Sequence, residues 1–253
     1  LRLAAMKEEE HLMPATVPEH VMAALSCVPG HPVALRELEL LYLKAGATEG
    51  LMHLYQRMAT LASDPPYRAH LLYRAGDIAE TVLHRDGVAD AYYRLALDSD
   101  RTLVPAILAR RRVATRAQDD ATLLQCALME LQLTAHPPRR TQLLFDAGCL
   151  SYDHAQDADT ALDYFHQVLE REPVHHGAFD RLVRHFTHVG AWKDLADLLA
   201  RRAEAVPSPE EQAALLLDAA RISQMQLRDA QRAMTLYRGV LQRLPHHGGA
   251  LTA

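Results

Sequence analysis

The stretch that decides the fold is residues 141–174, TQLLFDAGCLSYDHAQDADTALDYFHQVLEREPV. It carries two stripes of apolar residues, each with the three- and four-residue spacing of one helix face. The stripes consist of Leu143, Leu144, Ala147 and Leu150, followed by Ala161, Phe165, Val168 and Leu169. Sustained alternation of the strand type is absent from the sequence. The stretch therefore predicts two consecutive helices that pack as a hairpin.

The same pattern recurs at an interval of 72 residues, which aligns the sequence with itself without a gap. The aligned columns include Pro65, Pro137 and Pro209, then Ala89, Ala161 and Ala233, then Tyr93, Phe165 and Tyr237. Glycines such as Gly46 and Gly190 are typical of helix ends, and Asp64-Pro65 and Ser208-Pro209 are typical of helix starts. Ser208 and Glu211 also have the spacing of a capping box. Each repeat is thus predicted to hold four helices, as two hairpins of about 36 residues.

The second hairpin of each repeat resembles the tetratricopeptide repeat. Its first helix has a small residue, and its second helix has an alanine followed four residues later by an aromatic residue. The small residues are Gly76, Gly148 and Ala220. The small residue lets two helices approach closely, and the aromatic ring fills the remaining space. The resemblance implies an all-α fold, an α-solenoid of about seven antiparallel helix hairpins wound as a right-handed superhelix with a 72-residue double-hairpin period.

On this interpretation residues 1–253 form a single solenoid. Its predicted segments are a partial repeat at 1–30, full repeats at 31–102, 103–174 and 175–246, and the start of another at 247–253. Leu1 aligns with positions inside a helix, and Ala253 follows the start of a new one. We therefore expect a fragment of a longer array, like those in large bacterial proteins, with the rest of the longer chain among its partners.

Composition excludes several classes of protein. The net charge of −5, with 32 acidic and 27 basic residues, disfavours nucleic acid binding. The densest basic run, Arg110 to Arg112 with Arg116, is interpreted as a solvated helix face. No apolar run approaches the roughly 18 residues of a membrane span, so direct membrane insertion is not expected.

The cysteines Cys27, Cys126 and Cys149 have no metal-type spacing and indicate reduced thiols. We expect a cytoplasmic protein, with the periplasm as the alternative because a signal peptide could lie outside the sequence. Cys126 aligns with leucines and is predicted to be a small core residue. Cys149 aligns with polar residues and is predicted to be more accessible.

Catalytic and metal-binding motifs are not found. No serine, cysteine or lysine has a recognisable nucleophile context, so we expect no enzyme activity and no cofactor. His175-His176 and His246-His247 fall in a recurring turn and are interpreted as structural. His185 and His188, three residues apart on a helix, could face one ion but are interpreted as a solvent-facing polar pair. Trp192 is predicted to pack between hairpins, with an exposed anchor for a partner as the alternative.

Family resemblance also implies where a partner binds, because the first helix of each hairpin supplies most ligand contacts. The implied positions are Arg36, Lys44, Tyr73, Asp77, Arg112, Arg116, Phe145, Tyr152, Arg184 and His188, with Glu80 and Asp153 beside them. They predict a basic stripe with aromatic islands, which suits an acidic partner held by forked arginine contacts. The alternative is that they are ordinary exposed helix residues. The chain has no asparagine, so the asparagine–lysine clamp that holds chaperone C-termini in this family is not expected.

The sequence favours a non-catalytic scaffold that binds a protein or peptide partner within a larger bacterial assembly. A structural spacer that links other domains is the first alternative. A regulatory segment of a multidomain enzyme is the second.

Overall fold

Every secondary-structure element in the described part of the chain is an α-helix. The computed structural model describes residues 17–154 and 157–245. Its thirteen helices are α1 (Glu19–Cys27), α2 (Pro32–Ala45), α3 (Thr48–Leu61), α4 (Pro65–Thr81), α5 (Asp86–Ser99), α6 (Val104–Ala117), α7 (Asp120–Leu133), α8 (Pro137–Asp153), α9 (Ala158–Arg171), α10 (His176–Val189), α11 (Trp192–Ala205), α12 (Pro209–Met225) and α13 (Ala230–Arg243). The predictions for Leu1, His246-His247 and the segment 247–253 lie outside the described residues.

Helix lengths follow a fixed order of 14, 14, 17 and 14 residues, which starts at α2, at α6 and again at α10. The first helices of these sets begin at residues 32, 104 and 176. Within residues 32–154 and 157–243 the helices form six complete hairpins, and α1 precedes the first. The all-helical hairpin architecture predicted from the sequence is confirmed.

Side-chain caps and left-handed residues set the helix bounds. Asp64 Oδ2 accepts a hydrogen bond from the Tyr67 N–H at 3.0 Å, and Ser208 Oγ accepts one from the Glu211 N–H at 3.3 Å. Proline occupies the first helical position after each of these caps. At the other end, Gly46 and Gly190 have φ of 64° and 73°, a conformation that glycine adopts without strain. The predicted start and stop signals are confirmed.

Histidine also caps helices in this chain. The Nδ1 atom of His175 accepts a hydrogen bond from the Ala178 N–H at 3.1 Å, and His31 makes the same contact with Ala34 at 3.3 Å. His136 caps α8 in the same way. The prediction that the histidines of this turn are structural is confirmed for His175, and His31, which aligns with it, has the same role.

A glycine facing an aromatic ring closes the hairpin formed by α8 and α9. A Cβ atom placed on Gly148 would lie 2.6 Å from Cε1 of Phe165, closer than carbon atoms can approach. Both Phe165 and Ala161 are fully buried. Gly76 makes the equivalent contact with Tyr93 in the hairpin of α4 and α5. The small-residue and aromatic pattern seen in the sequence is therefore the packing contact between the two helices.

The chain divides into two compact units, an N-terminal unit that ends at Thr134 and a C-terminal unit that starts at Ala135. The division falls between α7 and α8, inside the segment 103–174. In each unit every helix packs against the next helix in the chain. In the N-terminal unit α4 also contacts α6, so the first helices of two successive hairpins lie side by side.

Candidate partner-binding site

Helix α2 of the N-terminal unit contains a buried carboxylate that forms ion pairs with two arginines. Glu39 on α2 is 2% exposed. Its carboxylate accepts hydrogen bonds from Tyr55 Oη at 2.7 Å and from Arg36 Nη1 at 2.5 Å, and it pairs with Arg74 Nη1 at 2.9 Å. The Arg74 guanidinium also lies 4.2 Å above the Tyr55 ring. We call these four residues the Glu39 cluster.

The Glu39 cluster keeps its carboxyl group ionised. Burial by itself would raise the pKa of Glu39, but the hydrogen bonds from Tyr55 and Arg36 and the charge of Arg74 outweigh it and lower the pKa. Burial and the bond to this carboxylate raise the pKa of Tyr55, so its phenol keeps its proton. One negative and two positive charges leave the cluster with a net charge of +1.

Beside this cluster lies a pocket of about 440 Å³ between α2, α3 and α4. Arg36 and Arg74 line it, and their side chains are 66% and 49% exposed. Leu35, Leu61 and the half-exposed Tyr67 supply apolar surface. The pocket therefore combines an excess positive charge with an apolar wall.

A second cluster of the same type follows at the junction of α4 and α6. Glu80 is 6% exposed and accepts a hydrogen bond from Tyr93 Oη at 2.8 Å. Arg112 binds it with both arms of its guanidinium, Nε to Oε1 and Nη2 to Oε2, each at 2.7 Å. Arg116 Nη2 lies 2.8 Å from Oε1 and also pairs with Asp86. We call these residues the Glu80 cluster.

The carboxyl group of Glu80, like that of Glu39, stays ionised in spite of its burial. Burial alone would raise the pKa of Glu80, yet the hydrogen bonds from Arg112, Arg116 and Tyr93 lower it to about 2. Two carboxylates, Glu80 and Asp86, balance the two guanidinium charges. Arg112 and Arg116 were predicted to form part of a basic stripe, and the structure places them in a network without excess charge.

The interpretation of the basic run as a solvated helix face is wrong at Arg110. This residue is 8% exposed, and its Nε donates a 2.9 Å hydrogen bond to Asp90 Oδ1. The neighbouring Arg111 pairs with Glu130 at 2.6 Å. Helix phase explains the difference, because the buried side of α6 faces α5 and α7 in this unit.

Three further predicted positions lie in the N-terminal unit. Tyr73 is half-buried, and its ring centroid is 5.8 Å from that of Tyr93. Burial, together with the charge of nearby Asp77, raises the pKa of Tyr73. Lys44 is exposed in the last turn of α2. Tyr73 and Asp77 thus border the Glu80 cluster, whereas Arg36 belongs to the Glu39 cluster.

In the C-terminal unit the predicted positions do not form one cluster. Phe145 is half-buried against His175, at 4.8 Å between ring centroids, and against Gly177.

Tyr152 Oη lies 3.1 Å from His185 Nδ1. His185 is therefore half-buried between helices, and its interpretation as a solvent-facing residue is wrong. Arg184 and His188 are exposed. Asp153 is bound by both arms of Arg181, at 2.6 and 2.8 Å.

Sequence reasoning missed Glu39, Tyr55 and Arg74. The residues that align with Glu39 are Arg111 and Val183, so the repeat gives no signal for a carboxylate there. Only the pairing of side chains from three helices identifies this site.

The thiols of Cys126 and Cys149 differ in burial. Cys126 is fully buried, as predicted, and burial raises the pKa of its thiol to about 11. Burial also raises the pKa of the half-buried Cys149.

Across residues 17–154 and 157–245, no three histidine, cysteine or acidic side chains are placed to hold a metal ion. Over the same ranges, no helix has both the length and the apolar character that crossing a membrane requires. Trp192 is half-buried, with its ring over Gly190.

The chain is similar to known proteins only at the level of three-dimensional structure. No protein-family model matches the chain, and no curated protein sequence matches it. Among solved structures it is similar to YrrB, described as a TPR protein with an unusual peptide-binding site, at 15% identity over 73% of this chain and 90% of YrrB, with a TM-score of 0.38. It is similar to PilF of Pseudomonas aeruginosa at 17% identity over 87% of this chain and 95% of PilF, with a TM-score of 0.36. It is also similar to the TPR domain of P58(IPK) at 14% identity over 98% of this chain and 82% of that domain, with a TM-score of 0.31.

Proposed function

We propose, from the tetratricopeptide-repeat fold of this chain, that it is a non-catalytic protein-interaction scaffold within a larger bacterial assembly. The proposed partner presents an acidic segment to the first helices of the N-terminal unit. One observation carries the proposal, namely that Arg36 and Arg74 share the buried carboxylate of Glu39 in the lining of a pocket with an apolar wall.

Charge balance supports an acidic ligand at this site. Glu39 neutralises one of the two guanidinium groups, so a carboxylate from the partner would neutralise the other. Both arginines are already held in place by Glu39, which reduces the entropy lost when a ligand orders them. Arginine also offers the forked donor geometry that carboxylates prefer.

The pocket wall supports an apolar residue next to the acidic one. Leu35 and Leu61 line the pocket, and Tyr67 presents a ring that is 50% exposed. Burying an aliphatic side chain there would stabilise the complex by about 1.5–3 kcal/mol. The proposed ligand is therefore a segment in which an acidic residue neighbours an apolar one.

The Glu80 cluster plays a different part in this proposal. Arg112 and Arg116 are 51% and 43% exposed, but Glu80 and Asp86 balance their charges. They can still donate hydrogen bonds to a partner without adding a net positive charge. The Glu39 cluster is thus the main determinant of the preference for an acidic ligand.

Selection from a random peptide library displayed on phage, with the full chain as bait, tests the proposal. We expect the selected peptides to be enriched in aspartate and glutamate next to aliphatic or aromatic residues. The double variant Arg36→Gln/Arg74→Gln should bind them at least about tenfold more weakly, because two charge-assisted contacts are lost. Glutamine keeps an amide that can donate to Glu39, so the fold should be retained.

The matched control is Arg94→Gln, which removes a positive charge from an exposed position on α5. It should bind the selected peptides like the native chain. Equal binding by the double variant would refute the proposal. A native chain that retains no peptide and no protein from its own lysate would favour the structural spacer instead.

A further inference from the structure

A pocket of about 600 Å³ lies within the C-terminal unit, between α9, α10 and α11. Its apolar lining comes from Leu169, Phe179 and Leu198. Its charged lining includes Arg201 and Arg202 from α11, and the exposed Glu170 and Glu204 lie at its rim. This volume is within the range of small-molecule sites, which are mostly apolar with a few polar groups that orient the ligand.

Arg202 is a buried cation in this lining and is 5% exposed. Its Nη1 donates a 3.0 Å hydrogen bond to the carbonyl oxygen of Pro173, and its Nη2 lies 3.1 Å from Nδ1 of His176. Its guanidinium carbon is 4.9 Å from the centroid of the Phe179 ring. These contacts use part of the five N–H groups of the guanidinium, and the others have no hydrogen-bond acceptor among the described residues.

Among the residues that the structure describes, no carboxylate lies within ion-pairing distance of Arg202. Arg110, which is buried to a similar degree, instead pairs with Asp90 at 2.9 Å. A buried charge without an opposite charge is costly unless a ligand supplies one. The described contacts of Arg202 therefore leave its positive charge without an opposite charge.

We propose that this pocket binds a small apolar monocarboxylate, whose carboxylate pairs with Arg202 and whose hydrocarbon body contacts Leu169, Phe179 and Leu198. Arg202 is the buried cation of the lining and matches a single carboxylate, whereas the exposed Arg201 has the carboxylates of Glu170 and Glu204 in the same lining. Glu170 and Glu204 at the rim oppose a second negative charge, which disfavours an acidic peptide. This site is separate from the Glu39 cluster and does not depend on the proposed partner.

Titration of the native full chain with 4-phenylbutyrate, followed by amide NMR shifts and calorimetry, tests the inference. We expect the shifts to centre on Phe179, Leu198 and Arg202 and to saturate below about 10 mM. The neutral analogue 4-phenylbutanamide has the same hydrocarbon body and should bind at least about tenfold more weakly, because it cannot form the ion pair. This comparison needs no variant and is unaffected by any folding defect.

Variants locate the site. Arg202→Gln should weaken phenylbutyrate binding at least about tenfold, whereas Arg94→Gln in the other unit should leave it unchanged. Glu204→Gln should strengthen binding, because it removes a repelling charge from the rim. Equal binding of the acid and the amide, or no shifts at about 10 mM, would overturn the inference. Tighter binding of acetyl-Leu-Glu-amide than of phenylbutyrate would also overturn it, by identifying a peptide as the ligand.

Discussion

The phenol of Tyr93 donates a 2.8 Å hydrogen bond to Oε2 of Glu80, while the ring of the same tyrosine covers Gly76. One side chain therefore serves both the close approach of α4 to α5 and the fixing of a buried carboxylate. That carboxylate in turn binds Arg112 and Arg116 on α6. Tyr93 thus couples packing inside one hairpin to ion pairs with the next.

Removing only the hydroxyl tests this coupling. Tyr93→Phe should lower the free energy of unfolding by about 1–2 kcal/mol, since Glu80 loses a buried hydrogen bond while the ring packing is kept. Urea denaturation followed by circular dichroism measures the change. The control is Tyr164→Phe, at a half-buried residue that makes no hydrogen bond through its hydroxyl in the described structure, and it should change stability by less than about 0.5 kcal/mol. Equal losses in the two variants would contradict the coupling.

Acid should weaken the Glu80 cluster. The pKa of Glu80 falls from an ordinary value of 4.5 to about 2 in the folded chain. The carboxylate therefore contributes its full stabilisation above pH 4.5 and loses it as the pH falls towards 2. From the size of this shift, the lost contribution is on the order of 3 kcal/mol.

Comparison with Glu80→Gln isolates this effect, because glutamine does not titrate. The stability difference between the native chain and the variant should shrink between about pH 5 and about pH 2 in urea denaturation. A difference that stays constant over this range would show that Glu80 titrates normally.

Glycine at position 148 should be essential for close packing. In Gly148→Ala the added Cβ would overlap the fully buried ring of Phe165, so we expect a loss of about 1–3 kcal/mol from overpacking. Gly87→Ala is the matched control, since nothing lies within 4 Å of its Cβ position. It should be neutral or stabilising by up to about 1 kcal/mol. A similar change in both variants would contradict the role of the Phe165 contact, because alanine by itself favours a helix more than glycine does.

Thiol labelling should follow burial. Cys27 is exposed, Cys149 is half-buried and Cys126 is fully buried with a pKa raised to about 11. With an aromatic disulfide reagent at neutral pH, Cys27 should react first and Cys149 more slowly, because only a thiolate that the reagent can reach is attacked. Cys126 should react only after denaturant is added. Rapid modification of Cys126 in the native chain, detected by peptide mass spectrometry, would contradict its placement.

Local signals predicted most of the fold. Pro65 marks a helix start because it lacks an N–H group, and Gly190 marks a helix end because glycine adopts a positive φ without strain. Each of these signals depends on a single residue. The contact between Gly148 and Phe165 was also visible, because it recurs as columns of the repeat. Helix periodicity and turn chemistry act over a few residues, which is the range that a single sequence shows directly.

The charge clusters could not be read in this way. Glu39 meets Tyr55 and Arg74 from two other helices, and its aligned positions hold Arg111 and Val183. The charge balance along the predicted basic stripe could not be read from the sequence either. Arg112 and Arg116 were assigned to it from the family resemblance and the helix phase, which do not show that Glu80 on α4 supplies an opposite charge.

One signal in the sequence could have revealed the Glu80 cluster. Its column holds Glu80, Tyr152 and Gln224, and the aromatic column holds Tyr93, Phe165 and Tyr237. An acceptor stands in the first column wherever the second has a hydroxyl, and Tyr237 indeed donates to Gln224 at 2.9 Å. Where the ring lacks a hydroxyl, at Phe165, Tyr152 turns to His185 instead.

The recurrence of helix starts at residues 32, 104 and 176 has a consequence for the gene. Recombination between two copies of the repeat adds or removes four whole helices and never leaves half a hairpin with an uncovered apolar face. The number of copies can therefore change in a single genetic step without exposing hydrophobic surface to aggregation. The length of the protein can therefore evolve without a loss of its ability to fold.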